Sequence, residues 1–129
     1  MATRERPLSP HMQVYRWQIT MVMSIVHRAT GIALAVGAFF FAWWILMLSI
    51  GGESAQTAMD CAQSPFGLLL AAGFSLSFVY HLLNGIRHLA WDTGHGYDIP
   101  SVYKTGYTVF VLTLVITAAI WFLALGGVR

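Results

Sequence analysis

The sequence predicts an all-α membrane protein with three transmembrane helices. Its 129 residues are 57% hydrophobic and only 9% charged, whereas soluble domains carry about a quarter charged residues. Residues 29–52, 61–86 and 105–128 contain no Asp, Glu, Lys or Arg. Each stretch exceeds the roughly 20 residues that a helix needs to cross a hydrocarbon core of about 30 Å. Because backbone groups in lipid must hydrogen-bond within their own segment, these stretches are predicted to be helices.

The first span is predicted over residues 21–50, after an N-terminal segment of residues 1–20. Pro7 and Pro10 predict extended or turned backbone in that segment, because proline disfavours helix at the residue before it. The glycine pair at 51 and 52 should end the span. Residues 51–64 are then expected to form a polar loop on the outer side.

The second span is predicted over residues 65–92 and the third over residues 103–127. Pro65 suits the first turn of a helix. Residues 93–102 contain two glycines and a proline, which predict a break and a cytoplasmic loop. Since this connection is short, the second and third spans should be antiparallel neighbours.

The distribution of charge predicts the orientation. Five basic residues lie before the first span or beside the second connection: Arg4, Arg6, Arg16, Arg87 and Lys104. The first connection contains Glu53 and Asp60 but no basic residue. The positive-inside rule therefore predicts a cytoplasmic N-terminus and a periplasmic C-terminus. Basic residues scattered in this way form no stripe that would bind nucleic acid.

The N-terminal sequence favours a bacterial inner membrane over a mitochondrial one. Nothing before Arg4 is typical of a transit peptide. This expectation would not apply to a sequence that is already a mature form.

Two spans each contain one polar face. In the first span, four residues lie within an arc of about 100° around the helix axis: Ser24, His27, Arg28 and Gly31. The second span repeats this spacing with His81, Asn84, Gly85 and His88. Lipid cannot satisfy such faces, so they are expected to point into a bundle or at a ligand.

His81 is the most informative of these residues, and three roles are open to it. It lies ten residues before Trp91, roughly 15 Å inside the membrane boundary at 1.5 Å per residue. A neutral imidazole there could ligate haem iron, relay a proton or hydrogen-bond across helices. Gly85, one turn further on, favours haem because a flat macrocycle must lie against the helix.

His27 and Arg28 lie closer to the boundary, where two interpretations are possible. Their side chains could extend towards the headgroups, or they could hold haem propionates or a quinone carbonyl. Ser24 would add a hydroxyl one turn deeper than Arg28. His88 would face a propionate, whereas Arg87 would point towards water or a partner.

Three motifs in order carry a resemblance that covers nearly the whole chain. They are RPLSPHMQVYRW, MSIVHRATG and YHLLNGIRHLAWD. Together they resemble the cytochrome b556 membrane-anchor subunits of succinate dehydrogenase, which have the same layout of three spans.

The resemblance implies a complex in which this chain is not catalytic alone. A flavoprotein would oxidise succinate, an iron–sulfur subunit would pass on the electrons, and two anchor subunits would present ubiquinone. His81 matches the axial ligand of a haem b shared with the second anchor subunit. Ser24 and Arg28 match quinone-site residues, and His27 and Arg28 match positions near the haem propionates. The iron–sulfur subunit is expected to dock on the side of the N-terminus and the 93–102 loop.

Two other functions remain open from the residues alone. One is a self-contained cytochrome b in which His27 and His81 ligate a single haem. The other is a membrane adaptor or transporter component without a cofactor.

Overall fold

The structure, a computed structural model, describes residues 15–126 and consists there of four helices. These are α1 (Ile19–Ile50), α2 (Gly52–Gln63), α3 (Pro65–Asp92) and α4 (Ile99–Gly126). Three of them, α1, α3 and α4, are long and apolar enough to cross a membrane. The predicted all-α membrane class with three spans is therefore confirmed. Most of the predicted N-terminal segment, including Pro7 and Pro10, lies outside the described residues.

The connection between the first two spans is helical, contrary to the predicted loop. Residues 52–63 form α2, a helix whose sequence is rich in alanine and glutamine, both good helix formers. Gly51 has φ 80° and turns the chain between α1 and α2. α2 packs back against α1, where Trp44 Nε1 donates to the Ala58 carbonyl at 3.2 Å. The connection between α1 and α3 is thus an ordered part of the bundle.

The α2–α3 corner has a side-chain cap. The Ser64 hydroxyl oxygen accepts from the Gly67 N–H at 3.0 Å, and Pro65 occupies the first turn of α3. Serine at the N-cap and proline directly after it are a favourable start for a helix. The predicted start of the second span at residue 65 coincides with this corner.

α4 begins at Ile99, four residues before the predicted start of the third span. Asp98 caps it: its Oδ2 accepts from the Ser101 N–H at 3.0 Å, and its carbonyl accepts from the Val102 N–H at 3.0 Å. Pro100 fits the first turn, where an N–H is not needed. Hydrogen bonding from Ser101, first by its side chain and then by its N–H, holds the pKa of the exposed Asp98 carboxyl below its ordinary value.

α3 lies between α1 and α4 and holds both. Tyr80 is buried against Met23 of α1 and Val109 of α4, and its hydroxyl donates to the Met23 carbonyl at 3.0 Å. Closer to the start of α4, Arg87 is buried and donates to Thr105 Oγ1 and to the Val102 carbonyl, both at 3.0 Å. The expectation that Arg87 points to water or a partner is therefore wrong. Its Nε and Nη2 donate within the bundle instead.

Candidate functional site

The two predicted polar faces meet at His81. Its Nδ1 lies 3.1 Å from the His27 carbonyl and 3.2 Å from Thr30 Oγ1. The Thr30 hydroxyl donates to the Val26 and His27 carbonyls, both at 2.9 Å, so its oxygen is free to accept. These partners assign the proton of His81 to Nδ1 and leave Nε2 with an open lone pair.

The ring of His81 is held in one orientation by α1. It stacks on the ring of His27 with centroids 3.9 Å apart and planes 7° apart. Gly31 provides the space, because a methyl group there would lie 3.1 Å from His81 Cε1. Glycine at this position therefore lets the imidazole lie directly against the helix backbone.

His88 extends the cluster towards the C-terminal end of α3. Its ring centroid lies 5.4 Å from that of His27 and 5.1 Å from that of Trp91, which it meets edge-on. The three imidazoles do not form a cage for a bare metal ion. Within residues 15–126, no group of three or more His, Cys, Asp or Glu is placed for that purpose.

Asn84 and Gly85, neighbours on the predicted face of α3, have different surroundings. Asn84 is fully buried, and neither Nδ2 nor Oδ1 has a hydrogen-bond partner among the described residues. A methyl group on Gly85 would meet no atom within 4 Å. Gly31 thus admits the His81 ring, while the surface beside Gly85 is open.

Ser24 and Arg28 lie on a neighbouring strip of α1 and are both exposed. The Arg28 Nε donates to the Ser24 carbonyl at 3.4 Å, so the two side chains leave α1 side by side. Since α1 begins at Ile19, Ser24 lies nearer to that end and Arg28 one turn further along. The predicted order of depth was therefore wrong, and the charge is the deeper group.

Thr30 contacts His81 but is not among the residues predicted from the sequence. It follows His27 by three positions, which places it on the adjacent part of the same face. A hydroxyl in an apolar helix usually bonds to its own backbone, as it does here. The Thr30 hydroxyl oxygen accepts from His81 because α3 packs against α1 at this point. The sequence of α1 alone does not indicate where α3 packs.

The fold and the site together define a class, that of multi-span helical membrane proteins in which histidines from neighbouring helices meet inside the bundle. The chain belongs to the succinate dehydrogenase/fumarate reductase transmembrane subunit family, whose model matches residues 2–120. This confirms the family predicted from the sequence.

Relatives from bacteria and mitochondria are similar along most of the chain. The succinate dehydrogenase cytochrome b556 subunit of Rickettsia prowazekii is 38% identical over 117 residues, which are 91% of each protein. The mitochondrial cytochrome b560 subunit of Homo sapiens is 45% identical over 111 residues, 84% of this chain and 66% of that protein. The Bos taurus subunit is 42% identical over 114 residues, 87% of this chain and 68% of that protein.

Proposed function

We propose that this chain is a haem b-binding membrane-anchor subunit of succinate dehydrogenase, which helps to form the site where ubiquinone is reduced. Family membership supports the assignment to the complex. One observation supports the role of the chain within this complex. His81 is fixed across two helices with Nδ1 bound to the His27 carbonyl, the arrangement that prepares an imidazole to bind a metal through Nε2.

The residues present fit a haem ligated by His81. The His27 carbonyl and Thr30 hold the ring, and Nε2 makes no hydrogen bond to any of residues 15–126. The open surface beside Gly85, one turn away, leaves room for a flat group. When bound, haem b would supply a one-electron redox centre inside the membrane. His27, Arg28 and His88 would hold its propionates.

The second axial ligand is expected from the other small anchor subunit. His27 and His81 are stacked face to face at 3.9 Å, so their ring edges do not oppose each other. Two imidazoles that hold one iron must each direct a ring nitrogen at it, which two rings stacked face to face do not do. The stacked geometry therefore favours a shared haem over a cytochrome b contained in this chain.

The quinone-binding residues would be Ser24 and Arg28. Both side chains are exposed beside each other on α1, so a quinone head could reach them from outside the chain. The Arg28 guanidinium offers several donors in a fixed fork, and Ser24 offers a neutral donor. The iron–sulfur and flavoprotein subunits would complete the path of the electrons from succinate.

The chain would lie in a bacterial inner membrane with the N-terminus cytoplasmic and the C-terminus periplasmic. The iron–sulfur subunit would then dock at the end of the bundle where α1 and α4 begin. The basic residues near that end support this orientation through the positive-inside rule.

Replacement of His81 tests the proposal. The His81→Ala variant removes the proposed iron ligand, so we expect the purified complex to lose haem or to contain high-spin haem in its optical and electron-spin spectra. His95→Ala is the matched control, because His95 is exposed in the 93–98 loop and should leave the spectra unchanged.

Three outcomes are informative. An unchanged low-spin spectrum in the His81→Ala complex would exclude the ligand assignment. A wild-type complex that purifies without any haem would instead favour the adaptor without a cofactor. Low-spin haem in the chain expressed alone would favour the self-contained cytochrome.

A further inference from the structure

Two polar side chains at the contact between α1 and α3 are buried without hydrogen-bond partners. Among the described residues, four buried side-chain polar atoms make no hydrogen bond, and three of them are His27 Nδ1, Asn84 Nδ2 and Asn84 Oδ1. Asn84 is fully buried. A buried polar atom that forms no bond bears the whole cost of its lost hydration, so nearly all such atoms have a partner in the protein or in ordered water.

Side chains of α3 that lie against glycines of α1 give the register of the two helices. Phe74 lies against Gly37 and His81 against Gly31, so seven residues forward along α3 correspond to six residues backward along α1. Three residues beyond His81, Asn84 is therefore level with positions 27 and 28 of α1. The register thus brings the orphaned atoms of the two helices to one level of the bundle.

The histidines before and after Asn84 both approach His27. The ring centroids of His81 and His88 lie 3.9 and 5.4 Å from that of His27, and Asn84 lies between these two residues on α3. Because an asparagine side chain is shorter than a histidine side chain, its amide ends nearer to α3 than the two rings do. Polar groups that face each other beyond the reach of a direct bond are commonly bridged by water.

We infer that an ordered water molecule bridges the Asn84 amide and His27 Nδ1 inside the bundle. Buried waters typically make about three hydrogen bonds to groups that would otherwise be unsatisfied. A water can both donate and accept, so it suits either end of the amide and either tautomer of the imidazole. The Tyr80 hydroxyl, one turn before Asn84, offers a third partner, because its oxygen can accept while it donates to the Met23 carbonyl.

A structure of the assembled complex, at a resolution that shows ordered water, tests the inference directly. We expect a water within about 2.7–3.2 Å of both His27 Nδ1 and one atom of the Asn84 amide. A direct hydrogen bond between the two side chains, or a contact without water, would overturn the inference. This measurement on the wild type also decides the matter if the variants below do not fold.

The direction of a stability change tests the same bridge. Asn84→Leu keeps a side chain that branches at Cγ and removes both polar atoms of the amide. Removal of unsatisfied atoms would be neutral or stabilising, whereas loss of a bridge leaves His27 Nδ1 without a partner. We therefore expect Asn84→Leu to raise the equilibrium constant of unfolding about tenfold. In a His27→Phe background, which has no Nδ1, the same substitution should raise it by less than about threefold.

The measurement uses the full chain in detergent without haem, so that haem binding does not contribute. Thr117→Val is the matched control, because it removes the fourth buried atom without a partner and should leave the unfolding constant within about twofold of the wild type. A neutral or stabilising Asn84→Leu, or an equal loss of stability in both backgrounds, would overturn the water bridge. Neither readout measures haem content or quinone turnover, so failure here would leave the proposed function unaffected.

Discussion

At the scale of single residues, Ser24 and Arg28 would offer the proposed quinone two different kinds of donor. The Arg28 guanidinium is a fixed positive charge one turn deeper along α1, and its Nε already donates to the Ser24 carbonyl. The Ser24 hydroxyl can rotate to meet a carbonyl oxygen as negative charge develops on it. Preorganised donors of this kind act most strongly where water is excluded.

The Ser24→Ala variant should lower succinate–quinone turnover about a hundredfold. Loss of one such donor commonly costs on the order of 3 kcal/mol of transition-state stabilisation. Electron transfer to a soluble dye upstream of the membrane should persist in the assembled complex. Ser49→Ala is the control, since Ser49 is exposed on the same helix and only bonds to the Leu46 carbonyl. Wild-type quinone turnover in an intact Ser24→Ala complex would contradict the assignment.

Sequence spacing could predict part of this site. The periodicity of one helix places His27 and Gly31 on one face, and the same holds for His81 and His88. The stacking of the His27 and His81 rings, with centroids 3.9 Å apart, depends on how α1 and α3 are rotated against each other. That rotation is set by packing along both helices. For the same reason the sequence could not show that Thr30 would contact His81.

At the scale of the helices, Arg87 and Thr105 join α3 to α4. The Arg87 Nε donates to Thr105 Oγ1, and its guanidinium carbon lies 4.0 Å from the centre of the Trp91 ring. A buried cation at a helix–helix contact is stabilising only while its donors are satisfied. The Thr105 hydroxyl on α4 is therefore important for stability, although the side chain is small.

The Thr105→Val variant should lower the free energy of unfolding by about 1–3 kcal/mol, because it leaves a buried charged donor without its acceptor. Thr108→Val on the same helix should change it by less than about 0.5 kcal/mol, since Thr108 is exposed and bonds only to the Lys104 carbonyl. Thermal unfolding in detergent measures both variants. Equal effects would show that Arg87 does not depend on Thr105.

Two glycines of α3 should respond to alanine in opposite ways. A methyl group on Gly67 would collide with the Cys61 carbonyl oxygen and lie 2.8 Å from that of Ala62, whereas one on Gly73 would meet nothing within 4 Å. We expect Gly67→Ala to destabilise by about 1–3 kcal/mol and Gly73→Ala to be neutral or stabilising by up to about 1 kcal/mol. Unfolding in detergent compares them, and a harmless Gly67→Ala would contradict the tight corner between α2 and α3.

The helices themselves were more predictable than their connections. Long uncharged stretches identify spans because, in lipid, a single segment satisfies its backbone hydrogen bonds by forming a helix. The segment that became α2 is polar and short, and its helical state depends on packing against α1 through contacts such as Trp44 to Ala58. The early start of α4 depends on a cap at Asp98. The nearby Pro100 had instead indicated a break in the chain.

At the scale of the whole molecule, the ends of the bundle should face different compartments. Cys61 is exposed on α2, and His95 is exposed in the loop before α4. In intact spheroplasts, a membrane-impermeant maleimide should label Cys61 directly. A cysteine introduced by His95→Cys in a Cys61→Ser background should react only after lysis. The reverse pattern would overturn both the proposed orientation and the side on which the iron–sulfur subunit docks.

The exposure of α1 has a consequence for how the cell handles this protein. Of its 32 residues, Met23 alone is buried, and its exposed surface includes the guanidinium of Arg28. A charged arginine at the centre of a membrane span costs about 2.5–3.5 kcal/mol even by the lower estimates, and one nearer the boundary costs less because its side chain extends towards the headgroups. In a newly made copy that has not met its partners, no other subunit covers Arg28, and the copy therefore bears this energetic cost. Its lifetime in the membrane should depend on how quickly the other subunits arrive, and surplus copies should be recognised by the proteases that clear unassembled membrane proteins.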